Sequence, residues 1–432
     1  MKHSHSLRSW MAAVAAGCVL TLSLTACASS NNSSSNTSPS GTVSGNAAAA
    51  GTTASKPSGA LIKIGVLVDL TGADSVIFKG SGSVATAWAK WVNAQGGING
   101  HPVEVVVMDT QSSPATAAGD ARELVENDDV AAVAVESLVA GPAIEPYLNS
   151  HNIPYLGNNV GDGPANPPST YFSLDIGFPA YAETAALLAK SAGFKSLTSV
   201  VCSEIAACLS IGNTLKAYSP TVGVAYKGTS TMASTAPNAT AQCVEIVNSG
   251  AGLTLAALSL VPTGKLITTC RAQGYKGGFA ITSVSQANFL QLGATPLYGL
   301  DADFPWWSTA AAVVQYRDVM AQYAPGLDYR SYFDDDMWAL LQLFSYAVSK
   351  SGPSTDAPVS GADVISAYRT AVKNVTLGGL LAQPITYSAS GNTIVNCFWP
   401  VERRANGSFV TLTGSGPSGN GVTGDLASTC VS

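Results

Sequence analysis

The sequence is poor in charged residues. Asp, Glu, Lys and Arg make up only 11% of its 432 residues, against about 25% in ordinary soluble domains. A nucleic-acid binder needs clustered Lys and Arg side chains that displace counterions from phosphates. Here 21 basic residues stand against 27 acidic ones, and the formal net charge is −6. We therefore expect no nucleic-acid partner, and a surface covered mainly by uncharged polar residues.

Catalytic motifs are also missing. The sequence has no G-x-S-x-G and no H-E-x-x-H pattern, and beyond residue 26 its only histidines are His101 and His151. The segment Gly80-Ser-Gly-Ser-Val-Ala85 fits G-x-G-x-x-A. Its glycines, however, lie about a dozen residues beyond the preceding predicted strand, whereas a dinucleotide site needs them in the immediate turn. We expect a protein that is not an enzyme and uses no cofactor.

The N-terminus has the pattern of an export signal. Lys2 and Arg8 precede an apolar stretch, Met11–Leu24, that is too short to span a bilayer comfortably. The following Leu24-Thr25-Ala26-Cys27 resembles the lipobox of bacterial lipoproteins, which implies cleavage after residue 26 and lipidation of Cys27. The alternatives are an ordinary signal peptide or an N-terminal membrane anchor with a chance cysteine. Cleavage would remove two positive charges and lower the net charge from −6 to −8.

A tether follows the lipobox. Residues 28–59 are rich in Ser, Asn, Thr, Gly and Ala and contain almost no large apolar side chain, so folding could not offset the entropy of ordering them. As a flexible coil, this segment would have a root-mean-square reach of about 30 Å. We therefore divide the N-terminal region into a signal peptide, 1–26, and a disordered tether, 27–59.

The remaining cysteines indicate disulfides. With Cys18 removed and Cys27 lipidated, six are left, and an even number in an exported chain favours disulfide bonds. Six thiols allow 15 connectivities. We expect the three pairs that are close in sequence: Cys202–Cys208, Cys243–Cys270 and Cys397–Cys430. The alternative, a metal cluster, lacks C-x-x-C spacing and nearby histidines, so no metal site is expected.

From residue 61 onward, strands and helices alternate. Leu61–Val68 is a nearly continuous apolar run, which is typical of a strand covered on both faces. Short connections between alternating elements favour parallel sheets with helices on both faces. The predicted strands of a first unit are 61–68, 103–108, 130–135 and 153–156. Its first helix ends at about residue 95, and two further helices cover 115–127 and 143–150. A second unit has strands 196–201, 221–227, 253–260 and 278–282 and helices 179–192, 204–218, 238–249 and 262–273.

The last third is less regular. It is predicted to contain helices 309–324, 334–350 and 360–373 and strands 384–387, 393–402 and 408–413. We expect it to complete both units. Ligands bind at the carboxyl ends of the strands in such sheets, so the loops of interest begin at Asp69, Asp109, Glu136, Gly157, Cys202, Gly228 and Val261.

Several segments in succession resemble a known family. They are Ile64–Gly72, the turn Asn93-Ala-Gln-Gly-Gly-Ile-Asn-Gly100, Val105–Asp109, Ala131–Ser137 and Asn152-Ile-Pro-Tyr155. Together they resemble the branched-chain amino-acid binding proteins, type I periplasmic substrate-binding proteins of ABC importers. The resemblance implies an α/β fold of two doubly wound parallel-sheet lobes joined by three crossovers, near Asp175–Gly177, Asp303–Pro305 and Tyr387–Asn392. The expected lobes are 60–175 with 304–387, and 176–303 with 388–432.

The resemblance also implies ligand contacts. By motif position, Ser137 corresponds to a hydroxyl that grips a ligand carboxylate, and Asn158 and Asn159 to polar groups after the fourth strand. Independently, Gly141-Pro142 predicts a helix start whose positive end faces this region. Phe78 corresponds to an aromatic side chain from the first loop. The alternatives are that Ser137 and the asparagines cap their own loops and that Phe78 packs in the core.

The second lobe departs from the family pattern. The loop that usually offers an acid to a ligand ammonium group reads Lys227-Gly-Thr-Ser-Thr-Met-Ala-Ser-Thr235, without a carboxylate. A desolvated ammonium without a counter-charge would be costly, which argues against a branched-chain amino acid. Asp301 or Asp303 could substitute, although Asp303 could equally cap a loop.

Aromatic and acidic residues cluster near the second crossover and after it. Phe304-Pro-Trp-Trp307 could favour a flat or apolar ligand, with Trp306 as the contact, or could pack the hinge. Asp334-Asp335-Asp336 fits the acidic first turn of a helix better than a metal site.

These features predict an exported, lipid-anchored monomer that binds a small molecule. The ligand is expected to bear a carboxylate or to be aromatic or amide-like, and the partners are ABC permease subunits in the membrane. The alternative is a tethered sensor that presents its ligand to a membrane receptor.

Overall fold

The structure is a computed structural model that describes residues 56–157, 169–174, 176, 178–204, 206–282, 284–293, 296–388, 391–413 and 418–431. Its first sheet has five parallel strands in the order β2-β1-β3-β4-β5. We call the body built on it lobe I. The strands are β1 Ile62–Val68, β2 Val103–Asp109, β3 Ala132–Glu136, β4 Tyr155–Gly157 and β5 Tyr171–Ser173.

In the described part of the chain, seven helices belong to lobe I. The central strands β1 and β3 are almost completely buried, which explains their continuous apolar sequence. The helices are α1 Ser75–Phe78, α2 Ser81–Ala94, α3 Pro114–Glu126, α4 Gly141–Ser150, α10 Ala311–Tyr323, α11 Tyr332–Ser351 and α12 Gly361–Ala371. The helix α3 has Pro114 in its first turn, and the Ser113 hydroxyl accepts a hydrogen bond from Thr116 N.

Lobe II is built on a second, larger sheet in the order β7-β6-β8-β9-β10-β13-β14, with β15 paired to β13. Its strands are β6 Ser196–Cys202, β7 Ala225–Met232, β8 Leu253–Ala257, β9 Gly278–Ile281, β10 Leu297–Asp301, β13 Cys397–Arg403, β14 Phe409–Thr411 and β15 Thr429–Cys430. Its helices are α5 Phe178–Ser191, α6 Ala206–Tyr218, α7 Thr240–Ser249, α8 Leu260–Ala272 and α9 Gln286–Leu292.

The chain passes between the two sheets three times. It leaves lobe I between Ser173 and Phe178, returns between Asp301 and Ala311, and enters the lobe II sheet again before Cys397. A small hairpin of β11 Tyr387–Ser388 and β12 Gly391–Asn392 precedes that last strand. The predicted fold of two α/β lobes with three crossovers is confirmed, whereas the residue at which each lobe begins and ends stays a prediction. Asp175 and Gly177, near the first crossover, lie outside the described residues.

The structure corrects three sequence-based assignments in lobe II. The sheet is mixed, because β13 pairs antiparallel to β10, β14 and β15; the link from β13 to β14 is too short for a parallel crossover. Strand β7 runs over 225–232 instead of 221–227, since Ser219–Val222 forms a 3-10 turn. Strand β10 was not predicted, because the glycine Gly299 breaks its apolar run.

The three expected disulfides are present: Cys202–Cys208, Cys243–Cys270 and Cys397–Cys430, with Cα–Cα distances of 5.6, 4.9 and 3.8 Å. The second joins neighbouring helices α7 and α8, and the third joins paired strands β13 and β15. Among the described helices, none is both long and apolar enough to cross a membrane.

Candidate functional site

The carboxyl ends of three lobe I strands each carry an acidic residue. Asp69 follows β1, Asp109 ends β2 and Glu136 ends β3. Hydrogen bonds join these ends: the Thr110 hydroxyl donates to Asp69, and Asp69 N donates to the Glu136 carbonyl at 3.2 Å. The Asp69 and Glu136 side chains are completely buried, and this edge brings together the loops that follow β1, β2 and β3.

Asp109 organises the first loop of lobe I. Its carboxylate accepts hydrogen bonds from Thr71 N at 3.0 Å, the Thr71 hydroxyl at 2.6 Å and Gln111 N at 2.9 Å. Burial acts to raise the pKa of Asp109, but these hydrogen bonds outweigh it and lower the pKa below its usual value. The loop after β1 is thus held in place by an ionised carboxylate.

Ser137 is completely buried in the loop between β3 and α4. Its hydroxyl oxygen accepts hydrogen bonds from Val139 N and Ala140 N, both at 3.2 Å. In this conformation Ser137 caps its own loop next to the start of α4 at Gly141. The hydroxyl is not accessible to a ligand in this conformation, and its binding role stays a prediction.

Phe78 is also buried, with 1% of its surface exposed, in helix α1. Its ring lies 4.3 Å from that of Phe333 at the start of α11, measured between centroids. The structure thus places it in core packing, the alternative reading of this residue. Asn158 and Asn159 lie outside the described residues.

The hinge residues Asp303 and Trp306 are buried as well, with 4% and 3% of their surfaces exposed. The Trp306 ring packs 4.7 Å from Trp307 and 5.2 Å from Phe409, and the Arg317 guanidinium donates to the Trp306 carbonyl at 2.6 Å. These contacts fill the space around the indole. In this conformation the aromatic cluster packs the second crossover.

A set of buried carboxyl groups spans the hinge. Asp301 ends β10 of lobe II, and Asp334, Asp335 and Asp336 lie in the first turns of α11 in lobe I; all four are almost completely buried. Burial raises the pKa of Asp301, Asp334 and Asp335 well above the usual range, and the charges of Asp301 and Asp334 raise that of Asp335 further. Within the described part of the chain, no acidic, His or Cys cluster has a metal-binding arrangement, and the expected acidic helix start is confirmed.

Glu204 is a further candidate that did not emerge from the sequence. It lies in the loop closed by Cys202–Cys208, and its Oε1 accepts from Ser234 N at 2.6 Å and the Ser234 hydroxyl at 2.9 Å. The Ser234 N–H lowers the pKa of Glu204 below its usual value. The family pattern places an acidic residue in the loop after β7. This loop starts after Met232, later than expected, and the Glu204 carboxylate contacts it from the loop after β6. Strands β6 and β7 are adjacent and parallel, so the loops that follow them lie side by side. That adjacency could have indicated a contact between the two loops.

Comparisons with known proteins agree with this architecture. The periplasmic binding protein family profile matches residues 61–408. A search of curated proteins returned no match. Among solved structures, a leucine-binding protein from Thermotoga maritima is similar at 15% identity and TM-score 0.65, covering 81% of this chain and 97% of that one. A fatty acid ABC transporter substrate-binding protein from Thermomonospora curvata is similar at 14% identity and TM-score 0.67, covering 83% and 93%.

An extracellular ligand-binding receptor from Verminephrobacter eiseniae has a TM-score of 0.68 at 16% identity, covering 81% of this chain and 99% of that one. At these identities the likeness shows the shared fold. The two lobes, their three chain crossings and a family match over most of the sequence lead to one conclusion: this chain belongs to the periplasmic binding protein family.

Proposed function

We propose that the protein is an extracytoplasmic solute-binding lipoprotein. It is anchored through lipidated Cys27, captures a small molecule by closing its lobes, and delivers it as a monomer to the permease subunits of an ABC importer. The observation that carries this proposal is the pair of α/β lobes, joined by three crossings, whose strands end in polar loops. A ligand favours lobe closure only through better contacts with the closed state, so the protein needs binding groups and no catalytic ones.

The acceptor oxygens at the site bear on the ligand chemistry. Asp109 is a partly exposed carboxylate at the lobe I edge, beside the buried Asp69 and Glu136, and Glu204 presents an exposed carboxylate at the lobe II edge. Such groups favour a ligand that carries N–H donors, such as an amide or an amino acid, over a simple aromatic acid. Glu204 also answers the objection to an ammonium group that the loop sequence had raised.

A carboxylate on the ligand would be held near Ser137 and the start of α4, with Asn158 and Asn159 as further candidates. The hinge aromatics contact one another, so they give no support to an aromatic ligand. We therefore place amides and amino acids first in the order of testing, with aromatic acids as the comparison.

The experiment starts from mass spectrometry of any small molecule that co-purifies with the chain from residue 28 onward. Calorimetric titration follows with amino acids, primary amides and aromatic acids. For a ligand that bears an ammonium group, Glu204→Gln should weaken binding about tenfold, because a charge-assisted hydrogen bond is lost. Glu104→Gln is the matched control, since Glu104 is exposed near the beginning of β2.

The anchor is tested separately. Cys27→Ala should move the protein from the membrane fraction to the soluble fraction without changing its ligand affinity. Hydrolysis of any member of the panel, or the absence of binding and of a co-purified molecule, would contradict solute capture. Unchanged affinity in Glu204→Gln would remove that residue from the site but leave the fold-based proposal standing.

A further inference from the structure

A surface cavity of about 430 Å³ lies on lobe II between helix α6 and the edge strand β7. Asn213 and Lys216 line it from α6, and Lys227 and Thr229 line it from β7. Lys216 lies in the last turn of α6 and Lys227 in the first half of β7. The cavity is therefore near the opposite end of these elements from Glu204 and Ser234 and does not belong to the candidate solute site.

The charge of this cavity is opposite to that of the protein. The cavity is lined by two lysines and by no acidic residue, on a chain whose net charge is −6. Both side chains are exposed, and among the described residues neither forms an ion pair or a hydrogen bond. Lys216 also balances the negative end of α6, whereas Lys227, on a strand, has no such role. Two cations on facing walls attract an anion between them.

Two glycines shape the walls of the cavity. Gly212 lets α6 approach β7 closely, because a Cβ there would overlap Thr229. Gly228, with φ +121°, stands where the β6–β7 register shifts, and no atom lies near the place of its missing Cβ. Beneath it, Ser199 Oγ lies 2.6 Å from Tyr226 Oη and 3.1 Å from Thr229 Oγ1. An anion could reach the backbone at this bulge.

We propose that this cavity is a second binding site, separate from the solute site, for a phosphoryl anion. A phosphate group carries several acceptor oxygens and up to two negative charges, so it can contact both ammonium groups and the Asn213 amide at once. The cavity is larger than an inorganic ion and within the range of small-molecule sites. Its ligand is therefore a phosphate ester, supplied either by a lipid headgroup or by a soluble metabolite.

The experiment uses the purified chain with three probes: inorganic phosphate, glycerol 3-phosphate, and vesicles of phosphatidylglycerol mixed with phosphatidylcholine. Binding is measured by calorimetry and by flotation, and the protected lysines are identified by reductive methylation and mass spectrometry. The variants are Lys216→Gln and Lys227→Gln, and the matched control is Lys276→Gln, an exposed lysine elsewhere in lobe II.

We expect glycerol 3-phosphate or the anionic vesicles to protect Lys216 and Lys227 but not Lys276. Each cavity variant should weaken that binding about tenfold, and increasing salt should weaken it further. Binding of glycerol 3-phosphate would assign a soluble ester, and binding of vesicles alone would assign a lipid headgroup. No binding of any probe, equal protection of Lys276, or unchanged binding in both cavity variants would overturn the proposal.

Discussion

The buried carboxyl groups at the hinge predict an unusual dependence of stability on pH. Asp335, in α11, is completely buried, near Asp301 of the other lobe and in contact with Tyr316 of α10. Burial is the main cause that raises the pKa of Asp335 well above the usual range, and the neighbouring Asp301 and Asp334 carboxyls raise it further. The folded protein therefore keeps the Asp335 proton at pH values where the unfolded chain, with a pKa of about 3.9, has lost it.

The sign of the effect follows from proton linkage. Between the unfolded and the folded pKa, the native state binds more protons than the unfolded state, so the free energy of unfolding falls as pH rises. The stabilisation is complete below the unfolded pKa and is lost as pH rises through the folded one. One proton of difference corresponds to about 1.4 kcal/mol per pH unit.

The test is Asp335→Asn, which keeps the shape of the side chain and removes its titration. We expect the unfolding free energy of the variant to equal that of the original chain near pH 4 and to exceed it at higher pH. The slope should be smaller by at most about 1.4 kcal/mol per pH unit. Urea denaturation between pH 4 and 8, followed by tryptophan fluorescence, measures both quantities.

The control is Asp356→Asn, which removes an exposed carboxyl group that makes no hydrogen bond or ion pair within the described part of the chain. This variant should leave the slope unchanged. The reasoning would be refuted if the unfolding free energies of Asp335→Asn and the original chain had the same slope against pH. A variant that is destabilised equally at every pH would refute it as well.

Three further predictions concern stability. Replacing both cysteines of Cys243–Cys270 by Ala should lower the unfolding free energy by about 3.5 kcal/mol, because the bridge closes a loop of 27 residues; urea denaturation measures it. Gly299→Ala should cost about 1–3 kcal/mol, because a Cβ would overlap the packed core, whereas Gly264→Ala on α8 has room and should be neutral or stabilising; a comparison of melting temperatures separates them. Ser137→Ala should cost about 1 kcal/mol by loss of its cap, and calorimetry would add a loss of ligand affinity of about 1–3 kcal/mol only if Ser137 also binds ligand.

Periodicity and spacing predicted most of the fold. The buried apolar strands β1 and β3, the alternation of strands and helices, and the three disulfide pairs follow from local pattern and sequence proximity. The edge strand β7 was misplaced because one of its faces is exposed and its residues are polar. Strand β10 was missed because Gly299 is dictated by close packing in the folded core, which no local pattern records.

The candidate site was less accessible to sequence reasoning. The sequence by itself determined the composition, the family and the alternation of strands and helices, because these depend on local pattern and chemical type. Tertiary structure alone decided that Phe78, Asp303 and Trp306 are buried, and that Glu204 meets the loop of Ser234. Burial and proximity depend on how distant segments pack, and a single change of register moves a side chain from one face of a sheet to the other.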